Sequence, residues 1–312
     1  MPEWLIERGI GETRYALIDQ GQIIETRVEL DSIQRAGSVV AAKLIRSAKR
    51  NAVAQDGIGT EYLLPRGAGS VTEGQTLNIE IKREAIPGTE PWKRSLARAT
   101  DAPVRESSPL GGQPTGANEL GELGWDDLID EARTGTVRFA GGELRLSPTP
   151  AMTLIDVDGY LPPEELAVLG AAEAAKAIRR FDIGGSIGID LPTAGSKAAR
   201  LRAAEAIDGI LPQPFERTAV NGFGFVQIVR PRQRASLIEL AQDRAPFEAR
   251  ALLRRAAFEP AGPKRLAAHP AVIAALEGKP EWLASLSRQV GGAVGLRADP
   301  ALPISGGYAE QV

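Results

Sequence analysis

The sequence predicts a multidomain protein that combines α+β and α/β units. Two short apolar runs at residues 153–158 and 183–190 flank an amphipathic helical stretch at 163–180, which is a strand–helix–strand pattern. Residues 37–85 instead contain short apolar runs separated by glycine turns, as in a small β-barrel. A stretch rich in Pro, Gly and Ser at 101–124 lies between the two patterns and predicts a linker.

Length and composition are those of a soluble multidomain chain. The 312 residues, 43% of them hydrophobic, are enough for a sizeable core and two or more domains. No apolar run approaches the roughly 18 residues of a membrane span, and the N-terminus lacks a signal-peptide pattern, so we expect a cytoplasmic protein without membrane contact. The absence of cysteine excludes disulfides and thiolate zinc sites. At a net charge of −3, any nucleic-acid contact has to use local basic clusters.

The N-terminal third predicts a hairpin followed by a barrel. Residues 4–30 form two apolar arms with a turn near Gln20 and Gly21. About five short strands over 37–85 suit an OB-type barrel. Such barrels bind single-stranded nucleic acid through aromatic rings and basic side chains. The candidate contacts are the ring of Tyr62 and the charges of Lys82, Lys93 and Arg94; a solvated strand edge would explain these charges as well.

The C-terminal two thirds predict alternating helices and strands. A helix is expected over 125–133, a hairpin over 136–147 and a further helix over 197–211, whose apolar residues are three and four apart. The only histidine, His269, precedes Pro270 at a predicted helix start, so we expect it to cap or pack. Histidine-based and thiol-based catalysis are therefore not expected.

Three aspartates end the two apolar runs of the strand–helix–strand unit. A helical crossover favours parallel neighbouring strands, which would bring Asp156 and Asp190 to the same sheet edge. Asp158 follows two residues after Asp156 and points the same way. Such an all-oxygen site suits Mg²⁺, with Mn²⁺ as a second possibility. The alternative is that these aspartates are ordinary turn or cap residues.

Three segments together resemble the ribonuclease E/G family in order and spacing. They are M-T-L-I-D-V-D-G at 152–159, F-D-I-G-G-S-I-G-I-D at 181–190 and G-F-G-F-V-Q-I-V-R-P-R at 222–232. The resemblance covers most of the chain and implies an OB-type barrel inserted in an RNase H-like subdomain, followed by a DNase I-like catalytic domain and a small C-terminal α/β domain. The implied bounds are 1–33 and 124–150 for the RNase H-like parts, 34–99 for the barrel, 100–123 for a linker, 151–258 for the catalytic domain and 259–312 for the small domain.

The resemblance also implies roles for individual residues. Asp156 and Asp190 fall on the metal-binding aspartates of the family, whereas Asp158 stands where the family usually has asparagine. Aspartate there adds charge that repels a phosphate, and when ionised it cannot donate a hydrogen bond. Arg230 and Arg232 follow a predicted buried strand and are candidates for RNA phosphates beside the metal; a solvated strand end is the alternative.

Two departures from the family pattern affect substrate handling and assembly. No segment matches the family's 5′-monophosphate-recognising subdomain, so 5′-end sensing is not expected. The cysteine motif that links family subunits through zinc is absent, which excludes a zinc-linked dimer and leaves a homodimer through the small domain possible.

These observations predict an endoribonuclease that hydrolyses single-stranded RNA with Mg²⁺ and takes part in RNA processing or decay. No separate cofactor-binding motif is found, since the glycine pairs are too short for a dinucleotide fingerprint. The alternative from another class is a non-catalytic RNA-binding or regulatory homologue. A third hypothesis is a nuclease directed at DNA or at a nucleic-acid structure, because an OB-type barrel does not itself distinguish RNA from DNA.

Overall fold

The chain begins with three antiparallel strands. The computed structural model describes residues 1–88 and 93–312. A predicted turn at Gln20 and Gly21 is confirmed, both residues having positive φ angles of 50° and 77°. The first arm, expected as a single strand, divides at residues 9–11 into two strands, because Gly11 (φ 79°) allows a second turn there. The strands are β1 (Glu3–Arg8), β2 (Glu12–Asp19) and β3 (Gln22–Leu30).

The next five strands form a closed barrel in the order β4-β5-β6-β8-β7, with β7 pairing back onto β4. They are β4 (Val39–Arg46), β5 (Ala52–Gln55), β6 (Glu61–Leu64), β7 (Thr76–Arg83) and β8 (Ser95–Thr100). The pair β6·β8 is parallel and the others are antiparallel. Alternating side chains such as Leu44, Ile79 and Ile81 fill its interior. This arrangement is compatible with an OB-like barrel.

The segment expected as an irregular linker packs back on the chain. Arg105 forms a two-way backbone bridge with Val39 of the barrel, at N···O distances of 2.8 and 3.0 Å. Further along the chain, Gln113 and Pro114 add a fourth strand to the N-terminal sheet, parallel to β1. The elements here are β9 (Gln113–Pro114), α1 (Glu119–Glu122) and α2 (Trp125–Thr134), of which α2 was predicted.

A six-stranded sheet in the order β10-β11-β12-β13-β15-β14 dominates the middle of the chain. Its elements are β10 (Thr136–Phe139), β11 (Gly142–Pro148), β12 (Thr153–Gly159), α3 (Pro163–Arg180), β13 (Gly185–Asp190), α4 (Lys197–Ile210), β14 (Glu216–Arg217) and β15 (Phe225–Arg230). The predicted strand–helix–strand unit β12-α3-β13 is confirmed, and these two strands are parallel. The hairpin β10-β11 had been assigned to the first subdomain, but it pairs with β12, so the expected boundary at residue 150 crosses a continuous sheet.

The two faces of this sheet differ in character. On β12, Ile155 and Val157 are buried in the core that includes α3, whereas Leu154, Asp156 and Asp158 face solvent. The same alternation holds on β11 and β15, which indicates a half-buried sheet. The second face is therefore open, and it presents the aspartates of β12 and β13.

The C-terminal part is a small three-stranded sheet with helices. Helix α5 (Leu237–Gln242) precedes this unit and packs in the core of the six-stranded sheet. The elements of the unit are α6 (Arg244–Phe258), β16 (Lys264–Ala268), α7 (Pro270–Glu277), α8 (Pro280–Val290), β17 (Val294–Ala298) and β18 (Tyr308–Gln311). His269 caps α7, its Nδ1 accepting from the Ala271 N–H at 3.1 Å, as predicted. Across residues 1–88 and 93–312, no helix has the length and apolar character needed to cross a membrane.

Candidate active site

Asp156 and Asp190 are direct register partners on the parallel strands β12 and β13. Neighbouring strands lie about 4.8 Å apart, so their carboxylates leave the same sheet edge side by side. Asp158 projects from the same face of β12 two residues later. We call Asp156, Asp158 and Asp190 the acidic edge. The predicted juxtaposition is confirmed, because the crossover helix α3 makes the two strands parallel.

The acidic edge opens into a cleft of about 620 Å³. Its walls come from the strand ends of β12 and β13, the start of α3 and the turn before β15. All three aspartate side chains are exposed, and they make no ion pair with any residue in 1–88 or 93–312. The site is thus a solvated, negatively charged depression on an open sheet face.

Burial and neighbouring charges affect the protonation of Asp156. Partial burial and the neighbouring charges of Asp158 and Asp190 raise the pKa of Asp156. Arg145 lies opposite Asp156 on β11 and partly offsets this effect, although its guanidinium also binds Glu143 at 2.9 and 3.0 Å. A bound cation would relieve the same repulsion.

We therefore predict that the carboxyl of Asp156 titrates above the usual aspartate pKa of about 3.9 in metal-free protein. The raised pKa means that the folded state binds the Asp156 proton more tightly than the unfolded state does, and Mg²⁺ affinity should fall as the pH drops through this pKa. Carboxyl ¹³C NMR titration of the protein and of Asp190→Asn measures it. The Asp156 pKa should decrease in the variant and on Mg²⁺ addition; an unchanged value in both would contradict the coupling.

The donor set fits a hard divalent cation. Within residues 1–88 and 93–312, no three Asp, Glu, His or Cys side chains form a preassembled metal cluster. Mg²⁺ does not need one, because it usually keeps several waters and binds one or two carboxylates together with substrate phosphates. Asp156 and Asp190 supply that pair, with Asp158 beside them.

Two exposed aromatic residues, which the sequence analysis missed, lie in or next to the cleft: Phe223 lines it, and Tyr160 follows its wall residue Gly159. Tyr160 is 84% exposed directly after β12, and Phe223 is 83% exposed in the turn before β15. The turn is fixed, since Asn221 Oδ1 accepts the N–H groups of Phe223 and Phe225 at 2.9 and 3.0 Å. Gly224 has φ 93°, and a side chain there would collide with the Leu191 carbonyl oxygen. Large exposed rings beside a strand-end carboxylate would have been the signal in the sequence.

The arginines predicted beside the metal lie elsewhere. Strand β15 runs antiparallel to β13, pairing Phe225 with Asp190 and Arg230 with Gly185. Five residues along a strand place Arg230 roughly 17 Å from the acidic edge, at the opposite end of the sheet. There Arg230 donates to the Ile183 carbonyl at 2.8 Å and Arg232 pairs with Glu239. Their expected role at the metal is therefore wrong for this conformation.

Asp182 also lies at that opposite end of the sheet, just before β13. It pairs with Arg234 at 3.1 Å, and burial raises the pKa of Asp182 despite this partner. Its φ of 53° places it in a tight turn before β13. These contacts hold the sheet end together and agree with a structural role.

The barrel residues predicted to contact RNA are engaged in the protein. Tyr62 is fully buried and donates to Asp56 at 2.8 Å, so its ring cannot stack on a base, which corrects that expectation. Lys82 pairs with Glu80 at 2.6 Å and Arg94 with Glu61 at 2.5 Å. Lys93 borders a cavity between the barrel and the C-terminal helices.

A different part of the barrel is strongly basic. Five exposed cations lie on β4, on the β4–β5 loop and in the turn after β6, and we call them the basic rim: Lys43, Arg46, Lys49, Arg50 and Arg66. The loop and the turn are in contact, because the Asn51 N–H donates to the Pro65 carbonyl at 3.4 Å. In the part of the chain that the structure describes, no carboxylate pairs with these cations. Loops at this position of an OB-type barrel commonly contact oligonucleotides.

No known protein-family model matches the chain, and a comparison with curated proteins also finds no match. The family suggested by the three motifs therefore remains a hypothesis. A functional proposal has to depend on the acidic edge, its flanking rings and the basic rim.

Proposed function

We propose that this protein is a Mg²⁺-dependent endoribonuclease that hydrolyses single-stranded RNA. The observation that carries the proposal is the register pairing of Asp156 with Asp190 at an open sheet edge. Paired carboxylates in an exposed cleft suit a divalent cation that has to remain accessible to a polymeric substrate. The three sequence segments that resemble the ribonuclease E/G family end or begin at this edge and support the same activity.

In this proposal Asp156 and Asp190 hold the cation. When bound, Mg²⁺ supplies an activated water and offsets charge on the phosphate. Asp158 accepts a hydrogen bond from water or a ribose hydroxyl and keeps the local potential negative. Arg145, which is 61% exposed opposite Asp156, is placed to pair with a neighbouring RNA phosphate.

The flanking rings and the basic rim give the proposal its substrate class. Phe223, which lines the cleft, and Tyr160, directly after β12, offer exposed rings for unpaired bases, and such stacking requires a single strand. The basic rim on the barrel supplies sequence-independent contacts to phosphates. An RNA that contacts the rings and the basic rim would be cut internally, because neither the rings nor the rim recognises an RNA end.

The decisive experiment incubates the purified protein with an unstructured, internally labelled RNA in Mg²⁺ and, in parallel, in EDTA. Discrete internal cuts that require Mg²⁺ are expected. Binding without cleavage in Mg²⁺ and Mn²⁺ would instead support the non-catalytic RNA-binding alternative. A matched single-stranded DNA separates RNA from DNA preference, and equal cleavage of both would contradict the assignment to RNA.

We predict that Phe223→Ala raises KM for RNA about tenfold, because one base–aromatic stack contributes about 1–3 kcal/mol. The variant should fold normally, since the ring is exposed and the turn is held by Asn221. Phe223→Trp should restore KM. Steady-state kinetics on a short RNA measure the effect, and equal KM values for the alanine and tryptophan variants would rule out stacking.

We predict that the double variant Lys49→Glu/Arg50→Glu weakens RNA binding about tenfold or more at low salt. The slope of log K against log salt concentration should fall by roughly one to two units, since about two phosphate contacts are lost. The matched control is Lys82→Glu/Arg94→Glu, in which both cations are already neutralised by Glu80 and Glu61. A larger loss of RNA binding in this control would instead place the RNA on the barrel face that carries Lys82 and Arg94.

A further inference from the structure

A second cavity, of about 340 Å³, lies apart from the acidic edge where the N-terminal sheet, α2 and α6 meet the segment before β18. Its apolar wall is formed by Trp125, Ile129 and Phe247. Its polar wall contains arginines of β2, α2 and α6 together with residues 305–307. A partly apolar pocket of this size with a few converging polar groups is typical of small-molecule sites.

Most cations of this cavity are already neutralised within the protein. Arg14 pairs with Glu7 at 2.6 Å, Arg254 pairs with Glu7 at 2.8 Å, and Arg133 binds both carboxylate oxygens of Glu248 at 2.7 Å. The acids that line the cavity are paired as well: Glu12 with Arg14 at 2.5 Å, Asp126 with Arg254 at 3.1 Å and Asp130 with Arg133 at 2.5 Å. These pairs leave Arg255 as the cation to be explained.

Arg255 lines the cavity without a carboxylate of its own. Its described hydrogen bond is from Nη2 to the Gly307 carbonyl at 2.8 Å, and within residues 1–88 and 93–312 no acidic side chain forms an ion pair with it. A guanidinium carries five N–H donors, so most of them remain available. Burial and the neighbouring Arg133 lower the pKa of Arg255, although the charges of Glu248, Asp126 and Asp130 act in the opposite direction.

Further donors lie next to this guanidinium. The Arg255 contact places Gly307 beside it, and Ser305 lines the same cavity. Among the described residues, the amide N–H groups of Ser305 and Gly307 and the Ser305 hydroxyl have no hydrogen-bond partner. A guanidinium with adjacent backbone amides and a hydroxyl is a donor set suited to a phosphate group.

We propose that this cavity binds a nucleoside monophosphate. The phosphate accepts from Arg255 and from the donors of residues 305–307, and the nucleoside occupies the rest of the cavity beside the apolar side chains that line it. Asp126 and Asp130 also line the cavity. Each pairs with one of its arginines, but their side chains remain 63% and 70% exposed and accept hydrogen bonds from the ribose hydroxyls. This site is separate from the acidic edge and does not depend on the nuclease proposal.

Titration calorimetry in EDTA, which disables any metal-dependent chemistry, tests the site. The probes are the four nucleoside 5′-monophosphates, the matching nucleosides and inorganic phosphate. At least one monophosphate should bind about tenfold or more tightly than its nucleoside and than phosphate alone. Arg255→Gln and, more mildly, Ser305→Ala should weaken its binding, the former about tenfold or more, because a charge-assisted contact is lost.

Two controls make the result specific. Arg288→Gln removes an exposed arginine of α8 and should not change the affinity, and titration with the matching nucleoside shows the contribution of the phosphate. Thermal unfolding of each unliganded variant verifies folding, and Ser305→Ala provides the readout if Arg255→Gln is unstable. The proposal would be overturned if none of the four monophosphates bound at millimolar concentration, or if a nucleoside bound as tightly as its monophosphate. Unchanged affinity in both Ser305→Ala and Arg255→Gln would also overturn it.

Discussion

Asp190→Asn should lower the rate of Mg²⁺-dependent RNA cleavage at least about 100-fold. Replacing outer-shell partners of metal ligands commonly costs 10–100-fold in affinity or activity, and loss of a direct ligand should cost no less. The substitution keeps the side-chain shape and removes one charge. Asp190 is exposed at a strand end, so the fold should not change.

The matched control is Glu277→Gln, which neutralises an exposed carboxylate on α7 far along the chain from the acidic edge. Single-turnover cleavage should be unchanged in this control. Raising the Mg²⁺ concentration should partly rescue Asp190→Asn, because Asp156 still offers a ligand. Undiminished cleavage by Asp190→Asn would remove the acidic edge from the catalytic mechanism while leaving nuclease activity elsewhere possible.

The parallel strand unit could be predicted from sequence because its determinants are local. A run of alternating apolar residues, an amphipathic helix from Pro163 to Arg180 and a second apolar run permit few arrangements. Parallel strands end at the same sheet edge, and in the structure this brings Asp156 next to Asp190. The central pair of the site was therefore accessible without the structure.

The arginine positions could not be predicted in the same way. The return from α4 passes through the short strand β14 and a turn, so β15 enters the sheet antiparallel to β13. Reversing one strand exchanges its ends: Phe225 comes to the acidic edge and Arg230 leaves it. Strand direction depends on a non-local pairing that no local pattern of apolar residues records.

Burial and ion pairing explain why the RNA contacts predicted for the barrel differ from the structure. Tyr62 alternates correctly for a strand, yet it faces inward, because the barrel encloses one side of every strand. The charges of Lys82 and Arg94 are matched by acids on the same or neighbouring strands. Lys49 and Arg50 follow a strand in a polar loop, and their clustering with Arg66 emerges only when the loops meet.

Glu7→Ala should lower the free energy of unfolding by about 3–5 kcal/mol. Glu7 is 4% exposed and binds two arginines, Arg14 at 2.6 Å and Arg254 at 2.8 Å. Removing one partner from a buried ion pair leaves an uncompensated charge in a medium that solvates it poorly. Such a change strongly destabilises the folded state. Urea unfolding measures the change. Glu3→Ala on the same strand is the control, because Glu3 is exposed, and a similar loss there would contradict a buried-charge cause.

The same network should make the fold acid-sensitive. Burial would raise the pKa of Glu12, but Arg14 at 2.5 Å and Arg250 at 2.7 Å outweigh it and hold the pKa below its usual value. A lowered folded-state pKa contributes stability above the unfolded value of about 4.3, and this stability is lost as the pH falls through the folded-state pKa. In Glu12→Gln, the free energy of unfolding should therefore fall less steeply as the pH is lowered into the acid range. An unchanged acid dependence of this free energy would show that these arginines do not anchor the N-terminal sheet to α6.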